Sequence, residues 1–138
     1  MANQSASVLT VGLELRVAAG QPILARLRFT NSGSQPYELL SWLTFRSGRI
    51  DAKYFNVTFN DQPARYIGIM KKRGPPTAKD YLVLKPGEER TSVVSLSEAY
   101  AIAGPGVLTV TYDTVNPGLA KGSPGDRLVS NTISARIE

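Results

Sequence analysis

The chain has 138 residues, the length of one ordinary domain, with 42% apolar and 20% charged residues. These globular proportions argue against a disordered or fibrous chain despite 12 Gly and 9 Pro. It holds no cysteine and no histidine, which excludes disulfides, thiolate and imidazole zinc ligands, cysteine nucleophiles and any Ser-His-Asp arrangement.

The first predicted strand covers Ser7 to Val17, where Leu9, Val11, Leu13, Leu15 and Val17 alternate with Thr10, Gly12, Glu14 and Arg16, the period-2 pattern of a half-buried strand. After the Gly20-Gln21-Pro22 break, Ile23, Ala25, Leu27 and Phe29 alternate in the same way as a second strand. "NSGSQP" is turn chemistry. Tyr37 to Phe45 follows as a less regular strand carrying Trp42, which is expected to fill the space between two sheets. Phe55, Val57 and Phe59 form the next strand, joined through "NDQP" to "ARYIGIM" as a hairpin.

Beyond a proline-containing loop, short strands are predicted at 81–84, 90–96 and 107–112, with at most one helical turn at 97–103 and Ser97 as its cap. A long loop is expected from Asp113 to Arg127. The last strand places Val129, Ile133, Ala135 and Ile137 on one face, interrupted by Asn131. Seven to nine short strands with almost no helical periodicity predict one all-β domain over residues 1–138, an immunoglobulin-like antiparallel β-sandwich.

The net charge of +5 is local. Arg46, Arg49, Lys53, Arg65, Lys71, Lys72 and Arg73 face only Asp51 and Asp61 within residues 46–73, and the rest of the chain balances. Such a region attracts an acidic partner at long range; a solvated charged face with no ligand is the plain alternative. "AGPGV" lacks the lysine and following helix of a phosphate cradle, no calcium loop occurs, and the acids are scattered over turns and polar strand faces. An enzyme is therefore not expected, and neither is a cofactor. Tyr54 and Tyr66 near the positive region could stack on nucleic-acid bases, but tyrosines more often cover a core edge, so no nucleic-acid partner is expected. No apolar run reaches the roughly 18 residues of a membrane span, and no basic residue precedes Arg16. Neither a membrane partner nor an ordinary signal peptide is expected, which leaves the cytoplasm or export by another route.

"YIGIMKKRGPPTAKDYLVLKPGEE", "LSEAYAIAGPGVLTVTY" and the earlier "RFTNSGSQPYELLSW" together resemble the N-terminal domain attached to deuterolysin-type zinc endopeptidases, including lysine-specific ones. The resemblance spans roughly residues 8–112. It implies a β-sandwich that precedes, masks or helps fold a peptidase domain, whose HExxH helix is absent from this sequence. On that basis the expected partner is a protein of the peptidase class, and the domain is a non-catalytic binding or inhibitory module. Lys71, Lys72 and Arg73 would be offered to an acidic cleft, with Pro75 and Pro76 stiffening the segment. Asp80 and Tyr81 complete the expected partner-binding segment, Asp80 approaching the partner's metal; the plainer alternative is that both anchor the loop to the sheet. The alternative is a structural or surface-assembly module, present as a monomer or a weak homodimer through its sheet edges.

Overall fold

A computed structural model describes residues 7–118 and 125–138. Ten antiparallel strands occur among them: β1 (Leu9–Arg16), β2 (Leu24–Asn31), β3 (Tyr37–Leu40), β4 (Phe55–Phe59), β5 (Gln62–Pro63), β6 (Tyr81–Leu84), β7 (Glu89–Ser95), β8 (Gly106–Asn116), β9 (Asp126–Val129) and β10 (Ile133–Ile137). One sheet has the order β1-β2-β7. The other runs β10-β8-β4-β5, with β9 also paired to β8, and β3-β6 forms a small third pair. β1 and β2 share one sheet with β7, and β8 to β10 lie together in the other, so the chain crosses between the layers from β2 to β4, from β5 to β7 and from β7 to β8, as in an immunoglobulin-like sandwich.

The alternating residues read from the sequence build the facing surfaces. Val11, Leu13, Ala25, Leu27 and Phe29 of one layer are buried, as are Phe55, Val57, Leu108, Val110 and Tyr112 of the other. Each such large apolar side chain contributes roughly 1.5–3 kcal/mol by leaving water. The layers meet where Phe29 on β2 abuts Tyr112 on β8, edge to face with centroids 5.7 Å apart. Tyr112 is fully buried, and its hydroxyl donates to the Leu43 carbonyl at 2.6 Å.

That arrangement corrects the expectation for Trp42. The stretch read as a continuous strand from Tyr37 to Phe45 ends at Leu40 and turns into a 3-10 helix at Ser41–Thr44. Leu39 and Leu43, four apart, are both buried, as are Leu40 and Leu43, three apart; the governing spacing is helical, not period 2. The turn carries Leu43 inward and leaves Trp42 half-buried at the rim. Tyr112 occupies the centre instead.

Three further expectations change. The hairpin forms at Asn60-Asp61, both with positive φ (53° and 65°), as a tight two-residue turn requires. Its second arm pairs with β4 through Gln62 and Pro63, with one further bond from the Ala64 amide to the Val57 carbonyl at 2.9 Å. The arm then crosses to the 99–101 segment, where Tyr66 bridges Tyr100 and the Ala101 amide donates to the Arg65 carbonyl. A single turn does form after β7, with the Ala99 and Tyr100 amides donating to the Leu96 carbonyl. Ser97 does not cap it, since its hydroxyl accepts from the Ile23 amide at 3.1 Å. Finally, the long late loop is shorter than expected, because β8 continues to Asn116 and β9 begins at Asp126; residues 119–124 of that loop lie outside the described residues.

Asparagine side chains close gaps that no ladder covers. Asn131 breaks the last strand into β9 and β10. Its side chain accepts from the Leu13 amide at 2.8 Å and donates to the Leu13 carbonyl at 3.0 Å, copying a strand pairing that joins β1 to the other layer. Asn116 serves β3 similarly, accepting from the Leu40 amide and donating to the Glu38 carbonyl, both at 2.9 Å. Buried backbone groups need such partners.

Candidate docking surface

The segment from Ile67 to Asp80 leaves the sheets, and the sequence fixes it at both ends. At its start the Ile67 and Gly68 amides both donate to the Ala99 carbonyl, at 2.7 and 3.2 Å. Gly68 suits this close approach, because a Cβ would lie 3.0 Å from the Tyr66 hydroxyl and 3.1 Å from the Ala99 backbone, and these neighbours would have to shift to admit it. The Tyr66 hydroxyl in turn donates to the Ile69 carbonyl. At its end Thr77 and Asp80 form a capping box around the 3-10 turn Ala78–Asp80. The Asp80 carboxylate accepts from the Thr77 amide at 2.8 Å and from the Thr77 hydroxyl at 3.3 Å. The Tyr81 hydroxyl donates to the Pro117 carbonyl. Asp80 and Tyr81 are thus engaged within the domain as loop anchors.

A buried acid holds the middle. Asp51 has a side chain only 3% exposed and pairs with the Arg73 guanidinium at 3.0 Å. Its main-chain carbonyl accepts from the Lys71 amide at 3.0 Å. Arg73, 16% exposed, also lies over the Trp42 ring, 4.8 Å from the centroid. The second carboxylate oxygen of Asp51 is buried without a hydrogen-bond partner, so the pair is the main compensation for that charge. Arg73 was expected to be presented to a partner together with the two lysines. It is instead clasped by the fold, because a buried carboxylate 22 positions earlier needs a cation.

Between these anchors an exposed edge remains. Lys71, Lys72 and Pro75 are exposed and Pro76 is half-buried. Beside them stand three apolar side chains facing water: Ile67 at 49%, Ile69 at 46% and Met70 at 61% exposure. Of the seven cations in residues 46–73, six are exposed and Arg73 alone is not. The structure therefore brings Lys71 and Lys72 together with an apolar patch that sequence periodicity assigned to a strand. Gly68, in the middle of "YIGIM", is the signal that could have marked this stretch as non-strand.

The aromatic groups near this edge are tied to the core. Tyr54 packs on Phe45 at 5.5 Å and Tyr112 at 6.5 Å, and burial raises its phenol pKa above the ordinary value, an effect the nearby Arg73 charge opposes. Tyr66 meets Tyr100 edge to face at 5.2 Å. Among the described residues no group of three potential metal ligands occurs, and no helix is long and apolar enough to cross a membrane.

Fold and surface together define an all-β sandwich with one clamped, amphipathic, positively charged edge. No family model matches the chain. It is similar to a region of an extracellular protease from Aeromonas hydrophila, 33% identical over 107 residues. That match covers 78% of this chain but 30% of the protease, so the chain spans less than a third of the relative's length.

Proposed function

We propose that the chain is a non-catalytic, protease-associated accessory domain that docks a peptidase through its 67–76 edge, in the manner the prodomain-like resemblance implies. The observation that carries this reading is the exposed Ile67–Met70 patch continued by Lys71 and Lys72 and held in a fixed shape by Asp51 and Arg73. Similarity to a region of an extracellular protease supports a protease-associated role, and a peptidase partner is the proposal built on it. Apolar groups supply affinity by leaving water, and the flanking cations steer the encounter with an acidic rim. Pre-ordering by the Arg73 clamp and by Pro75 and Pro76 lowers the entropy lost on binding.

The test is a titration of this domain into the Aeromonas protease lacking the matched region, with caseinolysis as the readout. Stoichiometric loss of caseinolysis supports docking at the active cleft. Full activity at saturating domain would remove the inhibitory form of the proposal.

A further inference from the structure

The same edge has a second chemical property, independent of any docking: it is built to be cut without destroying the domain. Residues 69–77 belong to no strand or helix, and Lys71 and Lys72 are both exposed. Their neighbours Gly74 and Pro75 are also exposed. Exposed, small and polar loop tips are preferred sites of proteolytic nicking. Beside the Arg73 clamp, the described hydrogen bonds from residues 69–76 to the body of the domain are the Lys71 amide to the Asp51 carbonyl and the Tyr66 hydroxyl to the Ile69 carbonyl, so few bonds must open for the Lys71–Lys72 stretch to enter a cleft.

Three ladders would join the two pieces after a cut. The N-terminal piece supplies β1 to β5 and the C-terminal piece β6 to β10. β2 pairs with β7, β3 with β6 and β4 with β8, and the Phe29–Tyr112 contact in the core also crosses the nick. We infer that the Lys71–Lys72 and Lys72–Arg73 bonds form a processing site for peptidases with an acidic primary pocket, and that cleavage there yields a folded two-fragment domain. In the first case water adds across the Lys71–Lys72 amide, leaving a carboxylate on Lys71 and an amine on Lys72. Such pockets read an extended, accessible lysine. Arg73, a cation of the same class, is withheld because its guanidinium is held by Asp51 and Trp42. The bond after Arg73 is therefore protected.

Brief digestion of the intact chain with trypsin, followed over time by peptide mapping and native mass spectrometry, tests this. New N termini at Lys72 and Arg73 are expected among the first products, without one at Gly74. For a single cut at either bond the native mass should be that of the whole chain plus one water, with unchanged size-exclusion elution. Asp51→Asn should open the Arg73–Gly74 bond, and a Lys71→Ala, Lys72→Ala double variant should lose the early cuts while melting as the wild type does. An uncut 71–73 segment when other basic residues are already cleaved would overturn the inference. So would separation of the fragments on nicking, or early cleavage after Arg73 in the wild type.

Discussion

Arg73→Ala is the substitution in which fold and surface are most tightly linked. It leaves the Asp51 carboxylate, 3% exposed, without its counter-charge, one oxygen having no hydrogen-bond partner and the other keeping only the Ser47 hydroxyl at 3.4 Å. Breaking a buried pair by removing one partner costs about 3–5 kcal/mol. Because Arg73 is itself 16% exposed, water partly reaches the vacated space, which places the loss at about 3 kcal/mol, cation–π stacking on Trp42 included. For a domain of this size the midpoint of thermal unfolding should fall by roughly 10 °C. Differential scanning calorimetry gives the midpoint, and the emission of Trp42, the sole tryptophan, reports loss of the overlying guanidinium. An Asp51→Ala, Arg73→Ala double variant should be less destabilised than the sum of the singles by at least about 1 kcal/mol. A melting temperature within about 2 °C of wild type, or strict additivity, would refute the clamp and its energetic reasoning.

Three further outcomes follow from other parts of the structure. Lys71→Ala and Lys72→Ala, at exposed positions, should each change stability by less than about 0.5 kcal/mol in urea denaturation, in contrast to Arg73→Ala; a larger change would mean that these lysines are structural. Asn131→Ala should cost about 2 kcal/mol, since it strips both backbone groups of buried Leu13 of their partner, and amide exchange at Leu13 should accelerate. Stability should also decline at alkaline pH. Burial pushes the Tyr100 phenol up to about 12, and burial with the hydrogen bond to Asp126 does the same for Tyr37. Their stabilisation is complete below the unfolded pKa of 10.0. As pH rises from there to about 12 the unfolded chain loses protons that the folded one keeps, so the unfolding free energy falls, by about 2 kcal/mol for Tyr100 alone. Urea midpoints that stay level from about pH 9 to pH 11 would contradict this assignment.

The layered architecture was legible because strand alternation is a property of neighbours in sequence: Leu9 to Leu15, Ile23 to Phe29 and Leu108 to Tyr112 each announce a buried face. What the sequence concealed depends on partners distant along the chain. Asp51 counted only as one acid within a basic stretch, and nothing local says that it is buried beneath Arg73. Trp42 carries the composition of a core residue, yet a single 3-10 turn rotates it to the rim. Ile67 and Ile69 alternate with Gly68 as if in a strand, Met70 following directly, and the crossing of that arm to Ala99 leaves all three facing water. Asn131 was visible as an interruption, but its role as a surrogate strand residue needed the position of Leu13. Of the residues picked for docking, Lys71, Lys72 and Pro75 stand exposed, Pro76 is half-buried, and Arg73, Asp80 and Tyr81 hold the loop in place.

The central claim is that a clamped edge, part apolar and part cationic, docks a peptidase. Calorimetric titration of the wild-type domain and of two variants into the Aeromonas protease lacking the matched region tests it most directly. One variant is Lys71→Ala with Lys72→Ala, the other Met70→Ser. The account predicts saturable binding by wild type, about tenfold weaker binding by each variant, and a salt dependence that diminishes when the lysines are removed. Equal affinity for all three proteins, or no heat of binding with the wild type, would contradict it.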